Sequence, residues 1–253
     1  MNRKNFIFAA MLFAALSLGF VSCDDKGNDP DDPQGEQTEQ NGSTENNGGE
    51  ETPEPADPYN GHAYVDLGLP SGLKWATCNV GATKPEEYGN YYAWGETTPK
   101  TTYDWSTYKW CNGSDDTMTK YCTDSDYGTV DNKTVLDPKD DAASVNMGGS
   151  WRMPTKAEQD ELRTECTWTW TTLNDVNGYN VEGPNGNSIF LPAAGCRGGS
   201  DLYDAGSYGH YWSSSLFAVG SGRAYDLGFN SGSVYWSYGS RDYGRSVRGV
   251  FSK

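Results

Sequence analysis

The residues able to do chemistry are few, and their spacing serves it poorly. His62 and His210 are the only histidines in 253 residues. No G-x-S-x-G elbow presents a serine to either one, so a Ser/His/Asp relay has no support. Five cysteines follow Cys23, namely Cys78, Cys111, Cys122, Cys166 and Cys196, and none has the CxxC or Cys/His spacing of a zinc site. Five is odd, so at least one thiol stays free or pairs between chains. Cys111 and Cys122 are close enough in sequence to staple a loop, with connectivity left open. Asp124 and Asp126 in "TDSDYG" start like a calcium loop, but its sixth position is Thr129 instead of Gly and its twelfth is Val135 instead of Glu. A solvated turn is the better account. Asp140 and Asp141 read as caps of a short helix. No metal and no cofactor are expected, enzyme chemistry ranks last, and binding is what remains.

The binding candidates lie near the C-terminus. Residues 211 to 250, "YWSSSLFAVGSGRAYDLGFNSGSVYWSYGSRDYGRSVRGV", are built mostly from Tyr, Ser, Gly, Arg and Asp, yet apolar residues recur at two-residue spacing. A solvated linker has no reason for such a period. Tyr225, Leu227 and Phe229 share one strand face, Asn230-Ser231-Gly232 turns, and Val234, Trp236 and Tyr238 share the core face of the next strand. With Trp212 they form the expected frame. The opposite face is expected to point outward; with the rim residue Tyr238 and the segments flanking the strands, the candidate ligand-binding positions are Tyr208, His210, Gly222, Arg223, Asp226, Gly228, Tyr235, Ser237, Tyr238, Gly239, Ser240, Asp242, Tyr243 and Arg245. Tyr203, Tyr211 and Arg241 extend this rim, with core packing as the alternative for Tyr211. Tyr and Arg are the residues expected at hot spots. Tyr supplies contact area at low entropy cost, and Ser and Gly adapt around it.

Several elements must position that surface. "HAYVDLGLPSGLKWATCNVGA" reads as strand, Pro-Ser-Gly turn and strand, with Tyr64, Val65, Leu67, Leu69, Leu73, Trp75 and Val80 as its apolar content. From Gly89 to Cys122, Tyr, Trp, Thr and Gly predict long loops pinned by aromatics. In "WRMPTKAEQDELRTEC", Thr155 is an N-cap with Glu158 completing a capping box, and Leu162 and Cys166 share a helix face. "GYNVEGPNGNSIFLPAAG" is a hairpin: Tyr179 and Val181 alternate on one arm, Ile189 and Leu191 on the other.

The start of the chain is a sorting region. Arg3 and Lys4 precede an apolar run from Phe6 to Phe20, then Val21, Ser22 and Cys23, the pattern of a secretory signal over residues 1–22. A small residue before cysteine resembles a lipoprotein lipobox, although Phe20 departs from the usual Leu; Cys23 is the expected lipidation site. Residues 24 to 58 hold 12 Asp or Glu against one Lys and no aromatic, too little apolar surface to offset ordering. Residues 23–58 therefore read as a lipidated cysteine and an acidic, disordered tether. Acidic residues just after Cys23 resemble the export signal of Bacteroidetes-type lipoproteins, which implies an outer-membrane, lipid-anchored, surface-exposed protein. The formal net charge is −16; the signal contributes +2 and the tether −11, leaving −7 for residues 59 to 253. That mildly acidic part has no basic stripe, which argues against nucleic acid. Its length suits one domain.

"SGLKWATCNVGA", "YGNYYAWGET", "DDAASVNMGGSWRMPTKAEQDEL", "NGYNVEGPNGNSIFLPAAG" and "YWSSS" followed by "GRSVRGV" resemble, in that order, the Fibrobacter succinogenes major paralogous domain, over nearly all of residues 62 to 251. The resemblance implies an α+β, C-type lectin-like or formylglycine-generating-enzyme-like fold, a loop-rich mixed β sheet with one or two helices, over residues 59–253. Arg152, Met153, Pro154, Thr155, Ala157 and Glu158 match that group's helix motif, and Gln159 stands where the formylglycine-generating relatives carry Trp. No cysteine sits in a motif matching those enzymes' reactive pair. The calcium-dependent sugar motifs of true C-type lectins are absent as well. Such folds with a Tyr/Ser/Gly-loaded end are similar to the variable proteins of diversity-generating retroelements, in which adenine-directed changes to Asn codons never yield Lys, Glu, Gln, Met or Trp. From Gly206 to Val250 no Lys, Glu, Gln or Met occurs, and the candidate variable region spans 196–250. The expected function is binding of an extracellular protein or glycan. A fixed glycan-capture module is the alternative, and the membrane is met only through the lipid.

Overall fold

The computed structural model describes residues 59–217 and 219–252, all within one unit of the chain, Thr52–Lys253. The expected signal, Cys23 and the acidic tether lie outside the described residues. Among the described residues the elements run β1 (Tyr64–Asp66), β2 (Lys74–Asn79), α1 (Ala142–Met147), α2 (Lys156–Glu165), β3 (Thr167–Leu173), β4 (Val176–Glu182), β5 (Ser188–Pro192), β6 (Cys196–Gly198), β7 (Asp201–Tyr203), β8 (Tyr208–Leu216), β9 (Arg223–Asn230), β10 (Ser233–Ser240) and β11 (Arg248–Phe251). No helix among them is long and apolar enough to cross a membrane.

The class is α+β, with one correction. The strands form four small sheets, in the orders β1-β2-β11, β3-β4-β5, β6-β7 and β10-β9-β8. Every paired strand is antiparallel, so no mixed sheet forms. Parallel contact occurs only as isolated bridges such as Gly195 with Gly209. Short turns join most neighbouring strands as hairpins, whereas a parallel pair needs a long crossover; β2 and β11, far apart in the chain, also pair antiparallel.

Local chemistry explains the elements. Thr155 Oγ1 accepts from Glu158 N at 3.3 Å and Thr155 N donates to Glu158 Oε2 at 2.8 Å, so the capping box starts α2 and Leu162 is carried fully into the core. In the first hairpin Gly72, at φ +73°, lets the chain reverse after Pro70. Val181 faces Ile189 and Tyr179 faces Leu191 across β4 and β5, in the expected register.

Residues 80 to 141 contain no strand, and aromatics fix them instead. Tyr91, Tyr103 and Tyr108 are buried, and each hydroxyl donates to a backbone carbonyl: to Ala194 at 2.6 Å, Tyr91 at 2.7 Å and Trp94 at 2.7 Å. The rings supply apolar area, and the hydroxyls satisfy carbonyls that no ladder would satisfy. Asp124 caps a 3-10 turn by accepting from Asp126 N at 3.0 Å, as a turn residue would. Asp141 caps α1. Asp140 does not cap; it is buried against Lys120 and the Tyr121 hydroxyl.

Three aromatic-rich cores result. All five described cysteines are free. Cys111 and Cys122 form no staple, their thiols donating instead to the carbonyls of Trp105 and Asp124.

Candidate ligand-binding surface

The β8–β9–β10 sheet sets the geometry. Trp236 lies opposite Leu227, Tyr235 opposite Gly228 and Ser237 opposite Asp226; Tyr211 lies opposite Leu227 and Trp212 opposite Asp226. One face therefore carries Tyr211, Leu227 and Phe229, all buried against β4, β5 and α2. Tyr225, Val234 and Trp236 are half-buried at its edge. Trp236 Nε1 donates to Asp160 Oδ1 of α2 at 2.7 Å, and Lys156 Nζ sits 4.3 Å above its ring. This is the expected frame face, with two corrections: Trp212, opposite Asp226, lies on the other face and is buried in a different core, and Tyr238 is exposed.

The other face departs from the expectation. Asp226 is fully buried, and Gly222, Gly228, Gly239, Asp242 and Arg245 are buried too. The chain after β10 folds back across the face and covers it. The Arg245 guanidinium lies 4.5 Å from the Trp212 ring and so close over Gly239 that a Cβ there would stand 2.0 Å from Nη2. Arg245 Nη1 donates to Asp226 Oδ2, which His210 Nδ1 approaches at 3.1 Å. Tyr235 covers Gly228 in the same manner, a Cβ there standing 2.6 Å from its ring. Asp242 accepts from Ser240 Oγ, and burial pushes its carboxyl above the usual range. A charged residue at the outward phase of a strand is thus interior once its partner arrives from another segment.

Tyr211 and Arg241 leave the rim for the core as well. Arg241 Nε donates to the Tyr108 hydroxyl at 2.8 Å, and its other nitrogens donate to the carbonyls of Tyr121, Ser221 and Lys120. Its guanidinium stands 4.8 Å from the Trp94 ring. Arg248 is buried among Asn79 Oδ1 and the carbonyls of Ala76, Thr77 and Phe190. Burial without a carboxylate draws its pKa down.

What stays exposed is concentrated. Of the nine large apolar or tyrosine side chains exposed among the described residues, six lie between 202 and 243: Leu202, Tyr203, Tyr208, Val219, Tyr238 and Tyr243. Arg223 is exposed beside them, and His210, Tyr235, Ser237 and Ser240 are half-buried. A cavity of about 620 Å³ gathers Gly222, Arg223, Tyr238, Ser240, Tyr243 and Arg245 of the expected set. A second, of about 540 Å³, lies between Cys196, Tyr203, Asp204 and Tyr243, so Tyr243 forms the ridge between them. Tyr208 stacks on His210 at 6.4 Å, beside the Asp226 pair. Burial also raises the phenol pKa of Tyr235.

The facing wall was not legible in the sequence. Trp105, Asp115, Tyr127 and Phe217 line the larger cavity; the aromatic-rich stretch was a signal for pinned loops but carried no direction. His62 and Cys78 line a separate cavity of about 360 Å³. No group of three or more His, Cys, Asp or Glu among the described residues could hold a metal ion.

A family model described as a domain of unknown function (DUF8237) matches residues 144–250, a span running from within α1 through β10 into β11. No curated protein and no solved structure matches the chain. By comparison, then, the chain is similar over this C-terminal stretch to a domain of unknown function.

Proposed function

We propose that this protein is a lipid-anchored, outer-membrane, cell-surface binder, joined to its lipid at Cys23, that captures an extracellular protein or glycan. Its C-type lectin-like domain presents Tyr203, Tyr208, Arg223, Tyr238, Ser240 and Tyr243 as contacts. The single observation that carries the reading is the clustering of exposed tyrosines around a polar cavity, over a sheet whose charged positions are locked by their own partners. Such a division lets contact residues change while the frame stays intact. The restricted alphabet of residues 206–250 supports diversification of this surface by a retroelement.

The test probes a glycan array and a panel of immobilised extracellular proteins with the full chain and with a Tyr208→Ser/Tyr238→Ser/Tyr243→Ser variant. The expected result is loss of the wild-type hits with an unchanged melting temperature. Identical hits from both proteins overturn the assignment of the surface. A near-copy of the gene's 3′ end that differs only at adenines, beside a reverse transcriptase, is the outcome expected of diversification; a locus with neither overturns that part.

A further inference from the structure

The larger cavity is lined by one arginine without a carboxylate partner. Arg152, Arg163 and Arg245 are paired with Glu158, Asp160 and Asp226, while Arg241 and Arg248 are buried among carbonyls. Arg223 is exposed and lines the cavity, yet it has no carboxylate partner and no hydrogen-bond acceptor among the described residues. It is nonetheless held in place. Its guanidinium lies 5.3 Å from the Tyr238 ring, and Phe217 stacks on that ring at 4.3 Å and 15°. Phe217 occupies one face of the tyrosine, so the guanidinium over the ring takes the other. A cation–π contact of this kind uses none of the guanidinium N–H donors, which leaves them for an acceptor.

A second, independent feature lies in the same cavity. Arg245 lines it, is buried, and has an Nε with no acceptor. Asp115 is the only carboxylate in the lining, exposed on the wall facing Gly222. Trp105, Tyr127 and Tyr243 stand in the same lining, beside Gly220, Gly222 and Ser240. A cavity of about 620 Å³ has the size of a small-ligand site and exceeds what a bare ion fills.

We propose that this cavity binds a carboxylate carried on a saturated ring, the chemistry of a uronic or sialic acid. Arg223 is the two-pronged partner of the carboxylate, and Trp105, Tyr127 and Tyr243 are the surfaces for the sugar's C–H groups. The proposal rests on the reading of this surface as the binding one. An acidic peptide is the rival occupant; the aromatic side chains in the lining favour the sugar.

Calorimetric titration of the full chain with glucuronic acid and with N-acetylneuraminic acid, against glucose, polyglutamate and inorganic sulfate, decides the matter. One or both acids should saturate, with glucose at least about 10-fold weaker. Arg223→Ala should weaken the acid by roughly 10- to 100-fold without moving the melting temperature, and Arg223→Lys should restore only part. Equal affinity for glucose, an unaffected Arg223→Ala variant, tighter binding of polyglutamate, or equal displacement by sulfate each overturns the proposal. If the tyrosine triple variant loses its array hits while neither acid binds, the surface reading survives and the acidic-ring assignment falls.

Discussion

The two faces of the β8–β9–β10 sheet alternate residue by residue along the same strands, yet they are buried by different physics. One face is closed by Tyr211, Leu227 and Phe229 against neighbouring apolar side chains. The other, beyond Trp212 and Ala224, which join an apolar core of their own, is closed at its centre by the Asp226–Arg245 ion pair beside His210, roofed by the returning chain. The apolar face is stabilised by area removed from water. The charged face depends on each ion keeping its partner, since a lone buried charge is very costly. The difference teaches that polarity at period two marks which face a residue occupies; whether water reaches it depends on what the rest of the chain lays over it.

The largest effect is expected where a charge is held without any carboxylate. Arg241→Ala removes the donors of four hydrogen bonds and should cost about 4 kcal/mol or more in urea unfolding; a cost under about 1 kcal/mol would place Arg241 at the surface. Next, Phe229→Ala and Asp226→Ala should be equally damaging, each about 3 to 5 kcal/mol, which would make the two faces equal in weight. The double replacement Asp226→Leu/Arg245→Met should recover most of the Asp226→Ala loss. If Asp226→Ala is silent, the charged face is open to water and the contrast fails.

Acid sharpens the contrast further. Lys120, with Lys133, holds the Asp137 carboxyl at about 2, below its ordinary 3.8. The stability this contributes is present above pH 3.8 and lost as pH falls through about 2. Burial shifts Asp141 and Asp242 the other way, so they oppose folding as pH rises from 3.8 through their raised values. Melting temperature should therefore rise modestly on mild acidification and then fall toward pH 2. Asp137→Asn should flatten the acid limb, and Asp242→Asn should reduce the rise. An unchanged profile in both variants would remove these groups as the cause. The smallest stability effects belong to the exposed tyrosines: Tyr208→Ser and Tyr243→Ser should stay within about 0.5 kcal/mol by thermal melting, while the array hits of the full chain weaken.

What could be read from the sequence was local. The capping box of Thr155 and Glu158, the hairpin of Val181 and Ile189, and the frame residues Leu227 and Phe229 each lie within one short segment whose pattern dictates its own geometry. β3 escaped notice because "TWTWTTL" needs β4 to become a strand. The buried state of Asp226 and Arg245 escaped for a related reason: their partners come from separate segments, and charge alone suggests water. Arg241 reaches Tyr121, 120 positions away, and the cavity wall at Trp105 and Tyr127 depends on that same long-range closure.

The pairing of β11 with β2 has a consequence for how the chain reaches this state. Arg248 lies opposite Asn79 and Phe251 opposite Lys74, so the first sheet is completed by segments 169 positions apart at the Arg248–Asn79 contact. Contacts so distant along the chain are assembled late and slowly, in milliseconds to seconds for β-rich domains. A chain cut short before Arg248 would lack one strand of that sheet and the guanidinium that ties β2 to β5. Closure of the first sheet therefore depends on Arg248–Phe251 being in place.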